Sequence, residues 1–292
     1  MKTTTQSKWI ILLFLAPSLL GFIVFSLIPI VSALYLSFTS WDVIGGAPEF
    51  IGLKNYASIL FSAEFYRVIL NTLKYISLYI PGIIVSSLFV AIMFDRDIKG
   101  IGLFRVLLFI PVLTSWVAGS IIWRSVLSGQ YGLMNNLLAI VNIDGPSWLT
   151  DKSWAMIAIV MVSIWKDLGF FSLILFGGLR GIDRSIYEAA RIDGASSLKV
   201  ITRITLPLLT PTLFFVLITT LVNSFQLFPQ IMVMTGGGPD GATQVMVERI
   251  YTYGFRYFQM GYASALAIIL LIIIVTITLI QLVLQKKWVY YE

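Results

Sequence analysis

No cysteine and no histidine occur in these 292 residues, and charged side chains make up only 12% of them. The two missing residue types exclude disulfides, thiolate nucleophiles, the usual zinc ligand sets and any Ser/His/Asp triad. The scarcity of charge says more, because a soluble domain carries about 25%. Apolar residues reach 58% and the mean hydropathy is +0.92, so the chain reads as an integral membrane protein. Its 20 Lys/Arg against 14 Asp/Glu, a net +6, then speak of orientation rather than of a nucleic-acid partner.

Crossing about 30 Å of hydrocarbon takes roughly 20 apolar residues. Six intervals meet that requirement: 9–38, 75–94, 106–123, 155–179, 204–229 and 262–284. The predicted fold is therefore all-α, six transmembrane helices in a single membrane domain over residues 1–292. The first interval is too long for a signal-peptide core and lacks a small-residue cleavage pattern, so it is read as a retained helix. Six spans put both termini on one side. Lys2, Lys8, Arg96, Lys99, Arg105, Arg180, Arg184, Arg191, Lys199, Arg203, Lys286 and Lys287 share that side, whereas Lys54, Arg67, Lys74, Arg124, Lys152, Arg249 and Arg256 share the other, where acids balance them. The positive side faces the cytoplasm, and so do both termini.

The outer loops hold turn chemistry: Gly45-Gly46-Ala47-Pro48, Asp144-Gly145-Pro146 and Gly236-Gly237-Gly238-Pro239. Trp9, Trp41, Trp148, Trp154, Trp288, Tyr290 and Tyr291 fall near predicted interfaces and fit an aromatic belt. The cytoplasmic segment 180–203 is organised differently. Asp183 is placed to cap a short helix through Ala189, Ala190 and Arg191; Asp193-Gly194 breaks it, and Ser196 can cap a second helix running toward Pro207. A helix, tight turn and helix result. The first offers a low Ala189/Ala190 surface flanked by Glu188 and Arg191, suited to insertion into a groove of another protein.

The order Glu188-Ala189-Ala190, Asp193-Gly194-Ala195, Ile204, Leu206-Pro207 and Pro211 resembles the EAA loop of permease subunits in binding-protein-dependent ABC importers. Tyr187, the GGLRGID run at 177–183, the MTGGGPDGAT run at 234–243 and GYASALAI at 261–268 are similar to the carbohydrate-uptake branch, the maltose and glycerol-phosphate permease type. Leu198 and Ile201 stand where that branch often has aromatics, which puts only the docking of the second loop helix in question. The resemblance implies a type I importer permease: half of a pathway for a sugar or oligosaccharide, paired with a second permease. Two ATP-binding subunits beneath would hold ATP and Mg, and a solute-binding protein would deliver from outside. It also implies a coupling role for Tyr187, Glu188, Ala189, Ala190, Arg191, Asp193, Gly194 and Ala195, with Glu188 anchoring at the ATP-binding subunit and Gly194 shaping the turn. No cofactor, metal or catalytic residue is expected in this chain. No G-x-x-x-x-G-K-[ST] phosphate loop occurs, and Gly236–Gly238 is a turn.

Lys166 and Asp167 fall near the middle of the fourth span, where ionisable groups face a cavity or pair with another helix. Asn223, Ser224 and Gln226 in the fifth either line a pathway or join helices. Two alternatives stay open: import of a glycerol-phosphate type solute, with Lys166 as counter-charge, and an ion-coupled secondary transporter, which would carry its own coupling-ion site.

Overall fold

The computed structural model describes residues 5–43, 45–95, 99–129 and 131–290. Lys2 and Arg96 of the charge census and Tyr291 of the aromatic set fall outside them. Helices follow one another as α1 (Thr5–Phe22), α2 (Ile28–Leu36), α3 (Lys54–Leu60), α4 (Ala63–Phe94), α5 (Ile101–Leu113), α6 (Trp116–Val126), α7 (Leu133–Ile140) and α8 (Lys152–Gly181). Then come α9 (Arg184–Ile192), α10 (Ser197–Val200), α11 (Leu206–Leu208), α12 (Thr210–Phe225), α13 (Pro229–Met234), α14 (Met246–Tyr251) and α15 (Met260–Leu284). A two-stranded antiparallel pair, β1 (Thr39–Ser40) and β2 (Glu49–Phe50), is the one sheet among the described residues, with Thr39 opposite Phe50. The chain divides into two compact units, Met1–Ser62 with Arg249–Ile272, and Ala63–Glu248 with Ile273–Glu292.

Four stretches are long and apolar enough to cross a membrane alone: Ile10–Leu36, Ala63–Phe94, Lys152–Gly181 and Met260–Lys287. The other two are bent pairs. Helices α5 and α6 meet at 101°, and Ser197–Leu208 meets Thr210–Phe225 at 68°. Three boundaries therefore differ from expectation. Helix α4 begins at Ala63 rather than near 75, because Glu64, Arg67 and Lys74 lower the hydropathy of a segment that is nonetheless helical. The third interval breaks at Thr114, where Ser115 starts a new helix by accepting from the Ala118 N–H at 3.1 Å. The fifth ends at Phe225, so Gln226 lies beyond its helix and Pro229 opens α13.

Prolines shape these helices unequally. Pro29 and Pro207 each follow a five-residue π turn, at Ile23–Leu27 and Ile201–Thr205. A proline ring clashes with the carbonyl four residues back and supplies no N–H, and a widened turn relieves both problems. Pro81 sits inside α4 without breaking it.

In the first unit no residue from Ile10 to Leu36 is buried, as befits a helix whose solvent is lipid. Nearby, Asn55 donates to the Ser37 and Thr39 carbonyls at 3.0 and 2.9 Å, closing the β1 turn. The second unit has its core between α4, α8 and α12: Tyr75, Tyr79, Ile83, Met156, Ile159, Phe171, Leu175 and Val216 pack together. Gly169 lets α8 approach α5 so closely that a Cβ there would lie 2.1 Å from the Leu108 carbonyl oxygen. A smaller cluster forms around Leu127, Trp148 and Met234. Trp148 is thus a loop-core residue rather than part of an interfacial belt, its indole N–H donating to Asn135 Oδ1 at 2.5 Å.

Candidate functional site

Two places in the second unit collect the predicted site residues. The first is the segment 180–203. Asp183 accepts from the Ser185 N–H at 2.9 Å and caps α9 at its N-terminus. The backbone and side-chain hydrogen bonds from Ser185 hold the Asp183 carboxyl below its ordinary value. At the other end the Gly194 N–H donates to the Arg191 carbonyl at 3.1 Å and the Ala195 N–H to the Ala190 carbonyl at 3.0 Å. Those two bonds, with Gly194 at φ +72°, form a Schellman cap. Nothing lies within 4 Å of a Cβ built at Gly194, so the requirement for glycine comes from the backbone angle and not from crowding. Asp193 is the last, non-helical residue before that turn.

The faces of α9 differ from the expected Ala189/Ala190 surface. Ala189 is exposed but Ala190 is buried against its own chain, since neighbouring positions point about 100° apart. The exposed set is Glu188, Ala189 and Arg191 with Ile192, which is 86% exposed. A cleft of about 500 Å³ lies beside it, lined by Tyr187, Glu188, Arg184, Arg191, Ala195 and the Asp95 end of α4. Tyr187 ties α9 to the following π turn through its hydroxyl, 3.3 Å from Thr205 Oγ1. Arg180 reaches Asp95 at 2.8 Å. Ser196 occupies the N-cap position of α10 but makes no side-chain cap bond, and this short helix is closed by its backbone, the Val200 N–H donating to the Ser196 carbonyl at 2.9 Å.

The second place is a cavity of about 250 Å³ lined by Tyr75, Tyr79, Trp116, Asp167, Asn223, Gln226, Leu227, Pro229 and Gln230. That is below the roughly 300 Å³ at which drug-sized sites begin, room for about one sugar ring. Tyr79 donates to Asp167 Oδ2 at 2.6 Å and stacks on Tyr75 with ring centroids 5.1 Å apart. Gln230 is 4% exposed, and its Oε1 has no partner, leaving an acceptor in the lining. Flat aromatic faces beside amides and a carboxylate suit a hydroxyl-rich solute, because apolar ring faces stack while each hydroxyl needs a donor or acceptor.

The cavity joins Asp167, Asn223 and Gln226 and leaves out two other candidates. Ser224 is buried and donates back to the Thr220 carbonyl at 2.6 Å, a helix-internal bond. Lys166 does not line the cavity or pair with an acid. Its ammonium donates to the carbonyls of Pro111, Val112 and Thr114 at 2.7, 3.1 and 2.7 Å, which uses all three of its protons. These carbonyls close the C-terminal end of α5, where a cation also meets the negative end of the helix dipole. Sequence reasoning missed Tyr75, Tyr79, Trp116 and Gln230. Tyr75 and Tyr79 carried a signal, two tyrosines four apart on one helix face; Trp116 and Gln230 carried none.

A bundle of apolar helices with a polar cavity between them and a self-capped helix in the 180–203 segment is the architecture of a multi-pass membrane protein. The chain belongs to the family described as binding-protein-dependent transport system inner membrane component, which matches residues 55–290. It is 36% identical to the probable ABC transporter permease protein YesP of Bacillus subtilis, over 96% of this chain and 91% of that one. It is 34% identical to the arabinooligosaccharides transport system permease protein AraP of the same organism, over 92% and 86%. The sn-glycerol-3-phosphate transport system permease protein UgpA of Salmonella typhimurium is 29% identical over 94% of each. Among solved structures, a chain of a bacterial alginate ABC transporter in complex with alginate pentasaccharide-bound periplasmic protein superposes with a TM-score of 0.85, covering 97% of this chain and 96% of that one at 24% identity. That likeness concerns the fold.

Proposed function

We propose that this chain is one of two transmembrane subunits of an ATP-driven importer, forming half of the pathway for a sugar or oligosaccharide. A binding protein delivers the solute from outside, ATP and Mg are held by separate subunits below, and both termini lie in the cytoplasm. Helix α9, with Glu188 and Arg191 exposed and Gly194 forming its terminal turn, transmits closure of the ATP-binding subunits to the spans. The observation that carries this reading is α9 itself: a nine-residue helix capped at both ends within its own segment, with an exposed face and a cleft beside it. A short helix is marginal alone, and caps let it persist while its outer face stays available to a partner.

Coupling requires a link whose contacts differ between states, and a rigid element projecting from two spans provides one. The solute class rests on the aromatic and amide lining of the cavity and on the similarity to AraP. The glycerol-phosphate reading relied on Lys166 as counter-charge, and that ammonium does not line the cavity and gives its three protons to carbonyls, so it offers a phosphate no direct contact. An ion-coupled secondary transporter does not fit membership of a binding-protein-dependent family.

The test is a pull-down of tagged chain from its native membrane, natural sequence against a Glu188→Ala, Gly194→Val double variant. Recovery of a second permease and an ATP-binding subunit, the latter weakened in the variant, supports the proposal. Recovery of the chain alone, indifferent to the substitutions, refutes it.

A further inference from the structure

Lys166 and Asp167 are adjacent, and from the sequence their charges cancel. In the folded chain they take different partners, since consecutive positions on a helix do not face the same way, although each remains within reach of the other's charge. Lys166 is 4% exposed with every proton donated to the α5 terminus, its Nζ also 5.4 Å above the Trp116 ring. Asp167 turns into the cavity, anchored by Tyr79 through Oδ2, which leaves Oδ1 to accept from a solute hydroxyl. The remaining polar lining is neutral: the amides of Asn223, Gln226 and Gln230 and the phenol of Tyr75. Among the described residues no Lys or Arg lines the cavity.

We propose that Asp167 is a specificity-determining residue that makes this half of the pathway select uncharged saccharides against anionic ones such as uronates and sugar phosphates. The proposal rests on the reading of the cavity as a solute site. A cavity of about 250 Å³ is roughly 8 Å across, no wider than the Debye length at physiological salt, so an occupant cannot escape the carboxylate's field. A neutral sugar meets an acceptor for a hydroxyl. An anionic one meets like charge in the wall itself, while the Lys166 ammonium, still charged, sits behind the Trp116 ring with its protons on the α5 carbonyls and offers the solute no hydrogen bond.

The absence of cysteine allows a direct reading of that field. In the assembled importer, with partner cysteines replaced, Gln226→Cys places one thiol in the lining. Its modification rates by the cationic trimethylammonioethyl and the anionic sulfonatoethyl methanethiosulfonates, each normalised to a free thiol, report the sign of the potential. The expected result is a cationic preference of about tenfold or more, lost on adding Asp167→Asn and kept with Asp167→Glu. Equal normalised rates, or a preference that Asp167→Asn leaves intact, overturn the proposal. Should the Asn variant fail to assemble, Gln226→Cys with the natural Asp167 decides: cationic preference supports the proposal and its absence overturns it.

Protection of the same thiol by maltotriose, xylotriose, arabinotriose and trigalacturonate separates the two layers. Protection by a neutral trisaccharide and not by trigalacturonate supports the proposal. Equal protection by trigalacturonate overturns it while leaving the solute site standing, and no protection by any of them removes the solute site and the proposal with it.

Discussion

The mid-span cavity and helix α9 belong to one compact unit and are held in opposite ways. The cavity is built by partners far apart in the chain: Tyr79 to Asp167, Lys166 to the end of α5, Gly169 against Leu108. Helix α9 is held by its own ends, Asp183 at the start and the Gly194 turn at the finish, with Tyr187 as a tether. An element that depends on distant contacts fails with the fold; one that carries its own caps can be altered while the fold survives. The difference separates a place where mutation destroys the protein from one where mutation disconnects it.

The largest effect should come from Gly169→Ala. Its Cβ would meet backbone, which cannot swing aside, so α5 and α8 must part; a cost of about 3 kcal/mol is expected for overpacking of this kind. Size-exclusion chromatography of the solubilised importer should show loss of assembled complex. Lys166→Met comes next. It strands three carbonyls at the break between α5 and α6, at about 2–3 kcal/mol, and should lower the thermal midpoint by about 5–10 °C in a melting assay. Normal stability in either variant would break the comparison at its cavity end.

Gly194→Val tests the other end. With open space around the site, the penalty is the left-handed backbone alone, about 1–2 kcal/mol, so the thermal midpoint should fall by only about 2–5 °C while ATP-driven uptake falls about tenfold. Gly194→Asn should recover most of it, because asparagine tolerates that conformation. Asp183→Ala should cost less, roughly twofold in uptake, since backbone bonds still close the first turn. The Asp183 carboxyl is held low in the folded chain, so its capping contribution is complete above the ordinary carboxylate range and is lost only as pH falls through the lowered value. Coupling should therefore not vary on account of this cap between about pH 5.5 and 8.

The same contrast explains what could be read from the residues in order. Caps and glycine turns act over three to six positions, so Asp183, Glu188 and Gly194 announce α9 directly. Ala190 was placed on the wrong face because small residues mark close packing without saying on which side. The break at Thr114 left only a faint mark, Pro111 and the Thr114-Ser115 pair in which Ser115 caps the next helix, because the cation that closes α5 comes from Lys166 on another helix. Charge misled twice more. Glu64, Arg67 and Lys74 concealed the start of α4, and Lys166 looked like a pathway residue because three backbone carbonyls as its partners leave no mark in a sequence. Asn223 and Gln226 were legible as polar residues in an apolar run, whereas Gln230, just past a proline, was not.

The most direct test is the ratio of solute moved to ATP hydrolysed in proteoliposomes holding the complete importer, with the natural chain, Gly194→Val and Gly194→Asn compared at equal assembled complex. The account predicts a normal ratio for the natural chain, a collapse with Val and recovery with Asn. An undiminished ratio with Val would show that the turn after α9 does not carry the coupling.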